Sequence, residues 1–80
     1  MTGVEISERV TRLFTDRMGI EIPSATTDLV NEGLLDSLAL VDLLVHMERE
    51  FQVAIPLDQV EIDHFRTVER ISRYLGSVVR

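Results

Sequence analysis

Ser37 is the residue whose surroundings best suit chemistry. It stands in Glu32-Gly33-Leu34-Leu35-Asp36-Ser37-Leu38, just behind an acid and just ahead of apolar residues at helical spacing. An aspartate in that place is a good N-cap, because its carboxylate accepts backbone N–H bonds from the first turn and suits the helix dipole. Taken alone, Asp-Ser before an apolar helix is usually only a helix start. Here the serine also follows a long irregular stretch and heads a mildly apolar strip bordered by acids. A negatively charged group on its hydroxyl would be favoured by the free N–H groups and the dipole.

Catalysis by the serine itself fits poorly. The chain has no G-x-S-x-G elbow, and nothing marks a histidine and an acid as its partners. His46 and His64 are lone histidines without base–nucleophile or metal-ligand spacing, so solvated histidine is the default for both. Asp58, Glu61 and Asp63 lack the fixed glycine and terminal glutamate of an EF-hand and read as a charged helix edge. No metal site is expected. The sequence reads as a non-enzyme.

The elements that must position Ser37 follow from periodicity. Ile6, Val10, Leu13, Phe14 and Met18 mark one face of a helix over about residues 4–18, with Gly19 as a stop signal. Residues 19–36 hold Pro23, Ser24, Thr26, Thr27, Asn31 and Gly33 without a sustained period, which predicts a long loop pinned by Ile20, Ile22, Leu29, Val30 and Leu34. The second helix should start at Asp36 or Ser37 and run to about Phe51. With Ser37 at 0° and about 100° per residue, Leu40, Leu43, Leu44, Met47 and Phe51 fall between roughly 240° and 340°, the core face. Ser37, Val41, Val45 and Glu48 cluster at about 0–80°, beside that face, and Asp42, His46 and Arg49 lie opposite, near 120–180°. Pro56 discourages helix at Ile55, so residues 52–56 should be extended. Leu57 to Phe65 should hold one or two short helical turns anchored by Val60, Ile62 and Phe65. Thr67 is a reasonable cap for a last helix with the stripe Val68, Ile71, Leu75 and Val78, flanked by Tyr74. The expected fold is all-α, a small four-helix bundle with three main helices, a short third one and a long loop between helices 1 and 2.

Eighty residues make one domain, 1–80, since so short a chain cannot enclose two cores. The absence of cysteine excludes disulfides and thiolate metal sites. No apolar stretch is long enough to span a bilayer and the N-terminus has no signal-peptide core, so a cytoplasmic protein with no membrane partner is expected. Residues 20–65 carry ten acids against one base, Arg49, a local charge of −9, whereas residues 66–80 carry +3. The acidic middle would repel nucleic acid and favours partners with basic surfaces.

Gly33-Leu34-Leu35-Asp36-Ser37-Leu38 resembles the phosphopantetheine attachment motif of acyl and peptidyl carrier proteins, G-x-D-S-L. The resemblance spans roughly residues 4 to 78 and takes in Asp28-Leu29, Leu43/Leu44/Met47, Glu48 to Phe51, Val53-Ala54-Ile55-Pro56 and Phe65-Arg66-Thr67-Val68. It implies that Ser37 carries a covalent 4′-phosphopantetheine, added by a phosphopantetheinyl transferase from coenzyme A with Mg²⁺, and that Asp36 helps hold the Mg²⁺ during transfer. It further implies acyl or aminoacyl cargo held as a thioester, a loading ligase, adenylation enzyme or acyltransferase, and downstream synthase or tailoring enzymes. Leu38, Val41, Asp42, Val45 and Glu48 resemble the partner-recognition helix, in which acids steer a basic partner and valines give a modest apolar contact. Equally, Val41 and Val45 could only widen the core stripe.

Ala39 and Leu40 depart from the polar residues often found there in fatty-acid carriers, and Leu40 reads either as core or as partner contact. Together with Asp63-x-Phe65-Arg66-Thr67-Val68, they suggest a discrete carrier of specialised, polyketide- or nonribosomal-type metabolism, or one similar to D-alanyl carriers, with a short or polar cargo. A monomer is expected. The alternative is a helical adaptor that binds a basic partner through helix 2 without any modified serine.

Overall fold

The computed structural model describes residues 2–56, 58 and 60–78. The first helix, α1, spans Gly3–Arg12 and is capped by Thr2, whose hydroxyl accepts the Glu5 N–H at 3.2 Å. Its buried face is Ile6 and Val10. The helix expected over 4–18 is not α-helical throughout. From Leu13 to Arg17 it widens into a π-helical turn that keeps Leu13 and Phe14 in the core. The same apolar spacing satisfies either winding, so the sequence pattern cannot separate them. Gly19 ends the turn at φ 66, a left-handed conformation that costs glycine little, and the Ile20 N–H closes onto the Phe14 carbonyl at 2.8 Å.

Helix α2 spans Ser37–Phe51 with Asp36 as its N-cap, and buries Leu43, Leu44, Met47 and Phe51. Leu40 is half-buried and packs against the core from its edge. A short 3₁₀ turn, Ile62–Phe65, precedes α3, Val68–Val78, which the Thr67 hydroxyl caps by accepting the Arg70 N–H at 3.0 Å. Phe65 is fully buried and Val60 half-buried, but Ile62 is exposed, which corrects its expected role as an anchor. The 3₁₀ turn directs the Phe65 ring inward, and one ring suffices for so short a piece. The expected start of this segment at Leu57 lies outside the described residues. Val78, the last residue of the α3 stripe, is also exposed, and Ser72 is buried in the same helix with its hydroxyl on the Val68 carbonyl.

Among the described residues there is no strand. Helix α1 packs chiefly on α3, and the π-helical turn packs on α2. One continuous core results, centred on Val10, Phe14, Leu29, Leu43, Met47, Phe65, Val68, Ile71 and Leu75. Each fully buried Leu, Ile, Val or Phe contributes about 1.5–3 kcal/mol relative to exposure. Arg9 joins α1 to the end of α2 by an ion pair with Glu50 at 2.9 Å and by lying over the Phe51 ring at 5.3 Å.

The long loop is anchored by leucines. Leu29 is fully buried and Leu35 nearly so, whereas Val30 and Leu34, two of the expected pins, are half-buried. The reason lies in the turn between them. The amides of Leu34 and Leu35 both donate to the Leu29 carbonyl, at 2.9 and 3.0 Å, and Gly33 supplies the positive φ of 72 that this closure needs. The closed turn brings Leu29 and Leu35, not Leu34, onto the core.

Candidate functional site

Ser37 is the first residue of α2 and is exposed. Asp36 is extended (φ −118, ψ −173), and its Oδ1 accepts the Ala39 N–H at 2.8 Å while its carbonyl accepts the Leu40 N–H at 2.8 Å. Two of the first-turn donors are thereby satisfied. Among the described residues, the Ser37 and Leu38 amides, the Ser37 hydroxyl and Asp36 Oδ2 have no partner. The site therefore offers a nucleophilic oxygen, two free N–H groups at a positive helix end, and one unused carboxylate oxygen. Such a set suits a phosphate ester on Ser37, with the amides facing its charge. The spare oxygen is a hard ligand of the kind Mg²⁺ prefers. No His/Cys/Asp/Glu cluster able to hold a resident metal occurs among the described residues.

From Ser37 an apolar line runs along the outside of α2. Leu38 is 82% exposed, Val41 47% and Val45 40%. These valines do not widen the core stripe. Asp42 lies exposed beside the line and reaches His46 Nε2 at 3.5 Å, one turn on. Glu48 is placed otherwise. Its Oε2 accepts the N–H of buried Ile55 at 2.9 Å, so this carboxylate caps the extended segment that follows α2. The chain turns into that segment at Gln52, which holds a left-handed conformation at φ 53.

The serine is held in place from behind by a cluster that residue types alone did not reveal. Asp28 accepts the Val30 and Asn31 amides at 3.1 and 3.0 Å and the Asn31 side-chain N–H at 3.1 Å. Arg66 donates to Asp28 at 3.3 Å and to Asp63 at 2.8 Å, and its carbonyl accepts the Leu29 N–H at 2.7 Å. A further backbone bond joins the Glu69 N–H to the Ala25 carbonyl at 3.0 Å. The loop that leads to Ser37 is thus clamped to the segment before α3. The Asn31 backbone N–H is the largest influence on the Asp28 carboxyl; desolvation opposes it, but the Arg66 guanidinium and the Val30 N–H add to it and hold the group below the usual carboxylate range. The Arg66 hydrogen bond does the same for Asp63, and that bond, with the charge of Asp28, raises Arg66. Asp28-Leu29 and Phe65-Arg66 stood out in the sequence as similar to carrier proteins, but nothing in the residue pattern paired them. His64, the other lone histidine, is exposed and stacks on Tyr74 at 5.2 Å.

Comparison with known proteins bears on the same region. Residues 8–75 match the family model described as "Phosphopantetheine attachment site". The chain is 34% identical over 73 residues to an acyl carrier protein of Amoebophilus asiaticus, with 89% of each chain covered. It is 34% identical over 75 residues to a D-alanyl carrier protein of Listeria monocytogenes, covering 94% of this chain and 90% of that one. A D-alanyl carrier protein of Streptococcus pyogenes is 37% identical over 70 residues, with 85% and 87% covered.

Proposed function

The chain belongs to the phosphopantetheine-attachment family of carrier proteins, and from that premise we propose that Ser37 is the serine that bears the arm. Carriers of this kind are non-catalytic, and the group they hold is a covalent 4′-phosphopantetheine on a serine. The single observation that carries the reading is the exposed Ser37 at the head of α2, beside two amides that have no acceptor among the described residues. When bound, the arm supplies a thiol that the chain, lacking cysteine, does not encode. Ser37 Oγ loses its proton and bonds to phosphorus, and adenosine 3′,5′-bisphosphate leaves from coenzyme A. Asp36 holds the helix start through Oδ1 and offers Oδ2 to the Mg²⁺ that accompanies coenzyme A in the transferase complex. The free amides then face the charge of the ester.

Leu38, Val41 and Val45, with Asp42 beside them, form the surface that transferase, loading enzyme and downstream enzymes share. A basic rim on those enzymes is steered by the acidic middle of the chain, and the apolar line provides the close contact. Glu48 sits at the edge of that surface as a strut.

The cargo is a short acyl or aminoacyl unit, loaded by a ligase or acyltransferase in the cytoplasm, in a pathway apart from primary fatty-acid synthesis and of the specialised, polyketide- or nonribosomal-type kind. Its support is the likeness to D-alanyl carriers and the apolar Ala39-Leu40 pair behind the serine. Incubation with coenzyme A, Mg²⁺ and a broad transferase should add one arm, and Ser37→Ala should add none. A panel of loading enzymes followed by intact mass should then show small acyl or aminoacyl thioesters. Efficient elongation of fatty chains by general synthase enzymes would overturn the cargo assignment. Full biological activity of Ser37→Ala would favour an adaptor acting through α2.

A further inference from the structure

A basic groove lies at the end of the molecule away from Ser37. Ser37 and Arg49 are twelve residues apart on α2, a rise of about 18 Å. There a cavity of 230 Å³ is lined by Leu13, Arg17, His46, Arg49 and Glu50. A second cavity of 270 Å³ shares Leu13, Arg17 and Glu50 with it and adds Arg9, Arg12 and Asp16. The two adjoin along a shared wall. Glu50 is occupied by Arg9 at 2.9 Å, and among the described residues Arg12 pairs with the exposed Glu8, at 3.8 Å. Among the described residues neither Arg17 nor Arg49 enters an ion pair, and both are exposed.

Each of these arginines ends a helix, where the dipole favours a cation without any ligand. That effect accounts for each residue separately but not for their meeting. Arg17 reaches the groove from the π-helical turn, whose wider winding shifts its direction from that of an α-helical continuation. His46 comes from the preceding turn of α2. Arg17 and Arg49, from different helices, line one cavity with Leu13 and with His46, whose Nε2 faces Asp42 at 3.5 Å, and guanidinium forks of this kind bind carboxylates. At 230 and 270 Å³ the adjoining cavities each hold more than one small ion, and acids at Asp16 and Glu50 interrupt their positive charge. A free dianion would meet those acids, whereas an extended segment can space its carboxylates along Arg12, Arg17 and Arg49.

We infer that this groove docks an acidic segment of a partner protein, carboxylate side chains on the arginine forks, at the opposite end from the attachment serine. The site is independent of the Ser37 reading. It gives the carrier two surfaces of different character, so that a partner held by the basic end leaves the apolar α2 strip free.

The test is amide NMR of the full chain titrated separately with a hexaglutamate peptide and with inorganic phosphate. Saturable shifts confined to residues 13–17 and 46–50 are expected with the peptide. Arg17→Gln/Arg49→Gln should weaken that binding roughly tenfold or more, while Ser37 is modified at the wild-type rate and circular dichroism is unchanged. If the double variant does not fold, Arg49→Gln alone serves, with a smaller loss. Peptide shifts that do not saturate, that spread over the molecule, or that persist undiminished in the variant would overturn the inference. So would phosphate binding as tight as the peptide, which would make the groove an ion site only.

Discussion

The two ends of the segment from Asp28 to Ser37 are built on opposite terms. At Asp28 every side-chain oxygen is engaged, by two backbone amides, the Asn31 side chain and Arg66. At Ser37 the hydroxyl and two amides have no partner among the described residues. A residue that must meet another enzyme's active site gains from having no competing bonds, but its position must then be fixed by its neighbours. The clamp supplies that position. Rigidity is concentrated some residues upstream, and the reactive oxygen is left open.

The largest effect that would break this contrast is in the core beneath the loop. Leu29→Ala removes a fully buried side chain and should cost about 2–5 kcal/mol in urea denaturation. The modification rate should fall too, because the turn that closes on the Leu29 carbonyl precedes the serine. Normal stability in that variant would show that the loop is not anchored there.

Glu48→Ala comes next. It leaves the amide of buried Ile55 without its acceptor and should cost about 1–3 kcal/mol. Its effect on partner affinity should be smaller than that of Val41→Asp, as measured by transferase KM. A pure loss of partner binding with unchanged stability would return Glu48 to the recognition surface.

Asp36 sharpens the comparison because it serves both structure and chemistry. Asp36→Asn keeps an N-cap acceptor and should change stability by only a few tenths of a kcal/mol, whereas Asp36→Ala should cost about 1 kcal/mol. Both should slow Ser37 modification under limiting Mg²⁺. A transferase rate in Asp36→Asn equal to wild type would remove the carboxylate from any metal-holding role.

The smallest effect is in acid. Asp28 and Asp63 both lie below the ordinary value of 3.8 in the folded chain. Their contribution to stability is therefore complete above that value and is lost as pH falls through their lowered folded values. Both carboxylates are solvent-accessible, so the loss should be modest and salt-sensitive. Arg66→Met should flatten this acid limb of the thermal midpoint against pH; an unaltered limb would assign it to other carboxylates.

What the sequence disclosed and what it hid divide along the same line. Helix α2, its Asp36 cap and the buried Leu43, Leu44 and Met47 were legible, because local spacing and a cap residue determine them. The exposed line of Val41 and Val45 was half legible, since the wheel placed it beside the core without deciding its exposure, and Leu38 joined it only through the family resemblance. The clamp was hidden because Asp28 and Arg66 are 38 residues apart and no period links them. Leu34 and Leu35 are indistinguishable as pins in the sequence, because a loop has no face to read until the Gly33 turn is closed. The π-helical turn was invisible for the reason that its apolar residues suit an α-helix equally.

The most direct measurement is fragment-level mass spectrometry of the wild-type chain after treatment with coenzyme A, Mg²⁺ and a transferase. The account predicts one phosphopantetheinyl group, with cleavage fragments locating it on Ser37 alone. An arm found on another serine or threonine, or none at all, would contradict it.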